Sequence, residues 1–186
     1  MNYLKSFLPW IVFAIVSTQA DWRWSGLVGL VLAGGLLAVA RREGRGWDCL
    51  VIELSALGFF TVLTVFSLSN PDSPLREYVG ASSDVWLAIT AWGSIALRRP
   101  FTLGIAKTTT PQHLWQRPAF RRTNLVITAV WASSLTVAGV AGSLLLGYAP
   151  HATIALIALK ILAFVVPVVF TIRYVTHVRA RAQKAA

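Results

Sequence analysis

Six apolar stretches fill most of the 186 residues, at positions 4–20, 24–40, 49–68, 78–97, 124–147 and 152–174. Each reaches or approaches the about 20 residues with which a helix crosses ~30 Å of hydrocarbon. Polarity does not alternate along them as it would in a membrane-spanning strand, and only helices and closed barrels satisfy their own backbones in lipid. The sequence therefore predicts an all-α fold, a polytopic transmembrane bundle of six helices forming a single domain over residues 1–186. Composition agrees: 56% of residues are hydrophobic and 13% charged, against about 45–50% and 25% in soluble proteins.

The basic residues of the connections set the orientation, because Lys and Arg near span ends resist translocation. Lys5 precedes the first stretch, and Arg41, Arg42 and Arg45 lie between the second and third. Arg98, Arg99, Lys107, Arg117, Arg121 and Arg122 lie between the fourth and fifth, and Arg173, Arg179, Arg181 and Lys184 follow the sixth. The other side holds only Arg23 and Arg76. Both termini are thus expected in the cytoplasm, with outer turns at 21–23, 70–77 and 148–151. The net charge of +10 is then a record of topology, and nucleic-acid binding is not expected. A basic inner face instead suits anionic lipids of the inner leaflet. The first stretch, with Lys5 before it and Ser17, Thr18 and Ala20 near its end, also has the layout of a cleavable signal peptide; Pro9 and Trp10 inside the run favour a resident helix.

Small residues four apart let helices approach closely in lipid. Ser25, Gly29 and Ala33 form one such line and Ser134, Ala138 and Gly142 another, both read as packing within the bundle in preference to a homo-oligomer seam. Gly34–Gly35 is read as a further close contact, and Pro167 as a kink. The second and fourth stretches both finish on an Ala-containing run and a basic pair (Arg41–Arg42, Arg98–Arg99), a thin sign of repetition. Trp22, Trp24, Trp47 and Trp115 are read as depth anchors at the interface.

Three ionisable residues fall inside the stretches, where each is costly unless it faces protein or water. Asp84 stands thirteen positions before Leu97, and Lys160 thirteen before Arg173, so both sit about 20 Å from the cytoplasmic surface at ~1.5 Å per residue. They are expected to meet as an intramembrane polar pair, either a structural lock or a coupling site. Glu53, about one turn inside the third stretch, is expected to pair with a loop arginine. No catalytic motif is found, and neither a metal site nor a cofactor is expected, since Cys49 is the single cysteine and His113, His151 and His177 are dispersed.

The connection from 98 to 123 carries the densest local pattern. A short amphipathic cytoplasmic segment is expected to open at Thr110–Pro111, with Leu114, Trp115 and Phe120 for the acyl boundary and Arg98, Arg99, Arg117, Arg121 and Arg122 for phosphates or a protein partner.

These features resemble those of the bacterial intracellular septation protein family. The resemblance is carried by Leu4–Lys5–Ser6–Phe7–Leu8–Pro9, by Arg98–Arg99–Pro100, by Trp115, by Asn124 leading into a stretch with Trp131, and by Lys160 early in the last one. The stretch from Trp115 to Asn124 is longer than the family pattern, and Asp84 has no counterpart in it. The resemblance implies a multi-pass protein of the bacterial cytoplasmic (inner) membrane, without enzymatic activity, that organises envelope maintenance or division through envelope or division proteins. The alternative expectation is a small oligomeric transporter or channel using Asp84 and Lys160.

Overall fold

The computed structural model describes residues 2–18, 20–149 and 151–184; Gln19 of the first apolar stretch and Pro150 of the third expected outer turn lie outside them. The described chain is all-helical: α1 (Asn2–Val16), α2 (Trp22–Arg42), α3 (Val51–Ser69), α4 (Val79–Ala96), α5 (Phe101–Lys107), α6 (Pro118–Tyr148) and α7 (Thr153–Lys184), with short 3-10 turns at Trp47–Cys49, Pro74–Tyr78 and Gln112–Leu114. Four of them, α2, α3, α6 and α7, are long and apolar enough to cross a membrane.

Helix ends follow local chemistry. Asp21 caps α2 by accepting from the backbone N–H of Arg23, as a short acid does for an orphan amide. At its other end Gly44 takes φ 75, while the N–H groups of Gly44 and Arg45 bond the carbonyls of Arg41 and Ala40. The end of α4 repeats this cap: Arg98 and Arg99 donate to Ile95 and Ser94, and the left-handed position falls on Arg98 at φ 57, where glycine is usual. The expected repetition therefore has a different register. Arg41–Arg42 closes the last turn of α2, whereas Arg98–Arg99 lies beyond α4.

The core joins α1, α2, α3, α4, α5 and α6 around aromatic rings. Phe7 stacks on Trp131 at 4.9 Å, and Trp10 and Phe13 pack on Phe60 at 5.0 and 5.2 Å. With Phe7, Trp10 and Phe13 all buried, α1 is an integral part of the core. Of the two small-residue lines, Ser25, Gly29 and Ala33 are buried on α2, with Gly29 against the Phe60 ring. On α6, Ala138 is buried and Gly142 faces Ala81 and Leu159. Gly34 and Gly35, expected in a close contact, have nothing within reach of an added methyl group. Helical phase turns that pair outward, and the tight approach occurs at Gly29.

Pro167 lies within α7. Having no N–H, it leaves the carbonyl of Ala163 without its helical donor, and the Ser134 hydroxyl of α6 supplies one at 3.1 Å. Otherwise α7 is the least enclosed of the long helices, with 11% of its most apolar window buried against 44% for α3 and α6.

Contacts divide the bundle into two ends. Ser6, Arg45 and Glu53 meet at one, as do Asp48 and Lys107, and residues 109–117 share a cavity with Val175 and Arg179. The start of α1, the 43–50 and 97–117 connections and the end of α7 thus form a basic end. At the opposite end Trp22 Nε1 donates to the Pro71 carbonyl at 3.0 Å. Trp22 is buried and ties two turns together at that end; Trp24 and Trp47 are exposed.

Candidate functional site

Asp84 and Lys160, 76 positions apart, are in contact: Lys160 Nζ donates to Asp84 Oδ2 at 2.8 Å. The same ammonium donates to the Gly80 carbonyl at 2.8 Å. Asp84 is one turn beyond Gly80 on α4, so the lysine staples α7 to two levels of one helix face. Five residues into α4, Asp84 sits about 8 Å from that helix's start, nearer the opposite end than the basic one. Its side chain is 7% exposed and that of Lys160 42%. Sequence reasoning reached the acid and the base by matching depth, but no side-chain pattern announces the Gly80 carbonyl.

Glu53 is 4% exposed. Its Oε1 accepts from the Ser6 hydroxyl at 2.7 Å and lies 3.6 Å from Arg45 Nη1. The loop arginine was expected, whereas Ser6 was not; the buried face of α1 carrying Ser6, Phe7 and Trp10 is the signal that could have found it. Among the described residues Glu53 Oε2 and Arg45 Nε have no hydrogen-bond partner, and Arg45 Nε lies 3.3 Å from Glu43 Oε2. This cluster fastens α1 and the 43–50 connection to the start of α3.

The basic connection is organised differently from the expected amphipathic segment. Immediately after Pro100 the chain forms α5, whose Phe101, Thr102, Gly104 and Ile105 are buried. Thr102 Oγ1 donates to the Asn124 carbonyl at 2.8 Å and shares a hydrogen bond with Thr128 Oγ1 at 2.7 Å. An added Cβ on Gly104 would lie 2.7 Å from Cys49 Cα, so α5 lies almost backbone to backbone on the 47–49 turn. Lys107 bonds Asp48 at 2.5 Å and lies 5.1 Å from the Trp115 ring centre. That hydrogen bond holds the Asp48 carboxyl below its ordinary range.

Beyond α5 there is only the turn at Gln112–Leu114, and Phe120, Arg121 and Arg122 belong to the first turns of α6. Trp115 is half-buried and bonds within its own connection, donating Nε1 to the Thr110 carbonyl at 2.8 Å. Arg117 and Phe120 line a cavity of about 500 Å³ with Arg179, while Arg98 and Arg99 stand at the end of α4. Arg179 counted in the sequence only as a topological charge; its place in this cavity depends on α7 continuing past its apolar segment. Of the histidines, His113 is in the Gln112–Leu114 turn, His151 precedes α7 and His177 lies near its end.

Comparison with models of known protein families, with characterised proteins and with solved structures gives no match.

Proposed function

We propose that the chain is a multi-pass membrane protein with six crossing helices, both termini on the cytoplasmic side, and that it organises envelope maintenance or division as a non-enzymatic interaction protein. The broad apolar surfaces of α2 and α7, including Val31, Ile154, Ile161 and Ile172, suit contact with lipid, and the basic end suits the inner face. The resemblance to septation proteins supports the envelope role and a bacterial cytoplasmic membrane.

One observation carries the choice of a scaffold over a carrier. The Lys160 ammonium is committed to two acceptors on α4, the Gly80 carbonyl and the Asp84 carboxylate. A coupling site needs a polar path to its charges, whereas a lock needs only closure. The partial exposure of Lys160 is the observation that favours the transporter alternative.

Complementation of a deletion in the native host separates the two, scored by cell length and envelope permeability. Asp84→Asn and Lys160→Met each strand a charge and should lower thermal stability, by about 3–5 kcal/mol for a fully buried pair and less here because Lys160 is partly exposed. The double variant should regain stability and complement. A stable double variant that fails to complement transfers the site to the carrier reading. For topology, a cysteine at Pro74 should label from outside and one at Arg45 or Lys107 only after permeabilisation; the reverse pattern sinks the orientation.

A further inference from the structure

The cavity at the basic end has the polarity of an amphiphile turned headgroup outward. Its rim carries Arg117, just before α6, and Arg179, near the end of α7; both are exposed, and among the described residues neither makes an ion pair. Its floor is Ile127, 1% exposed, and its walls include Thr110, Phe120 and Val175. Arg117 and Ile127 are ten positions apart, so the cleft runs about 15 Å inward along α6 from charge to hydrocarbon. Among the described residues no carboxylate lines it. Two guanidiniums without acids, above an apolar slot, are complementary to a phosphate ester that carries acyl chains, because arginine meets phosphate oxygens with paired donors.

We infer that this cleft holds one anionic phospholipid of the adjoining leaflet, with its phosphate between Arg117 and Arg179 and an acyl chain along Phe120, Ile127 and Val175. The inference rests on the membrane reading above and narrows the basic surface to a single place. Arg98, Arg99, Arg121 and Arg122 do not line the cleft and contribute only general attraction.

Native mass spectrometry of the detergent-purified full chain tests it, with phosphatidylglycerol, phosphatidylcholine and glycerophosphate as probes. Phosphatidylglycerol should be retained as one adduct in preference to phosphatidylcholine. Arg117→Gln/Arg179→Gln should weaken it by on the order of tenfold per arginine removed, the effect of losing one charge-assisted hydrogen bond of about 1.5 kcal/mol. Val178→Trp, which fills the cleft from a half-buried wall position, should also weaken it without lowering the melting temperature. Arg98→Gln/Arg99→Gln should bind as wild type does. Glycerophosphate binding as tightly as the lipid would make this a free-anion site and overturn the inference. Equal loss in the two arginine pairs would overturn it in favour of diffuse charge, as would unchanged binding in Arg117→Gln/Arg179→Gln. Failure of the membrane reading would appear separately, as release of the chain from cell membranes by alkaline carbonate without detergent.

Discussion

Two glycines five positions apart on α2 should respond to the same substitution with opposite signs. A Cβ at Gly29 would stand 2.5 Å from Phe60 Cε1 and 2.9 Å from its Cγ. The ring has no free direction: it is fully buried, with Trp10 at 5.0 Å and Phe13 and Phe59 each at 5.2 Å. Overpacking of this kind costs about 1–3 kcal/mol, and Ala gains up to about 1 kcal/mol over Gly inside a helix. Because Phe60 is wedged by three rings, the cost belongs at the upper end, leaving Gly29→Ala about 1–2 kcal/mol less stable than wild type. At Gly34 the added methyl meets nothing within 4 Å, so Gly34→Ala should gain about 0.5–1 kcal/mol. The two variants then differ by about 1.5–3 kcal/mol, or roughly 3–12 °C for a chain of this size. Thermal unfolding in one detergent, followed by tryptophan fluorescence, measures this with composition held constant. Adding Phe60→Leu to Gly29→Ala should recover part of the loss through a coupling of about 0.5–3 kcal/mol. Equal melting temperatures for the two glycine variants would refute the argument that Gly29 is the contact.

Arg98→Gly should raise stability by about 1 kcal/mol, since the left-handed position at the end of α4 costs that much for a residue with a Cβ; a lower melting temperature would mean that the Arg98 side chain matters more than its backbone. The Lys107–Asp48 contact should make stability depend on pH in a definite direction. Because the folded carboxyl is easier to ionise, its contribution is present above the ordinary carboxylate value of about 4 and is lost as pH falls through the folded value. The advantage of wild type over Lys107→Met should therefore be roughly 0.2–1 kcal/mol at neutral pH, as befits a half-exposed pair, and vanish in acid; an advantage persisting at pH 2 would contradict it. Ser134→Ala removes the donor that serves the Ala163 carbonyl at Pro167, and should destabilise by about 1–3 kcal/mol. The same substitution at Ser133, exposed on the next position of α6, should be close to neutral in the same melting assay.

What was legible in the chain follows from the range of each signal. Run length and hydropathy are properties of one segment, and each of the six stretches holds a helix, four of them long and apolar enough to cross a membrane, although α6 and α7 extend past their apolar cores because Pro118 opens one and nothing stops the other before its basic tail. Depth counting is nearly as local, and it brought Asp84 opposite Lys160. By contrast α5 spans only Phe101–Lys107, too short for a periodicity to emerge, and its place depends on Thr102 finding Asn124 and Thr128 and on Gly104 reaching Cys49. The glycines show the same division. Gly29 shares a phase with Ser25 and Ala33 and was readable, while Gly34–Gly35 was judged by composition alone and faces outward. Trp22 reads as an interfacial anchor from its place at a stretch end, and no local signal announces that Pro71, 49 positions away, supplies its acceptor.

The polar pair also explains why α4 and α7 belong to one unit despite their unlike composition. α4 is absent from the helices apolar enough to cross a membrane by themselves, yet Ala81, Ser83, Asp84, Leu87, Ala88, Ala91 and Ser94 are buried. Its hydroxyls turn back on the helix: Ser82, Ser83, Thr90 and Ser94 bond the carbonyls of Val79, Gly80, Trp86 and Ala91 at 2.7–2.9 Å. The Trp86 and Trp92 indoles donate to Ser55 of α3 and Thr136 of α6, which leaves Asp84 as the charged group that α4 does not satisfy internally. On α7 the imbalance is reversed, since a long and exposed apolar helix carries one cation, Lys160, within its apolar run. Each charge alone would be costly in hydrocarbon, and each helix holds what the other needs. Joining them lowers both costs at once, so the last helix, which packs on α6, reaches the fourth through the Lys160 side chain.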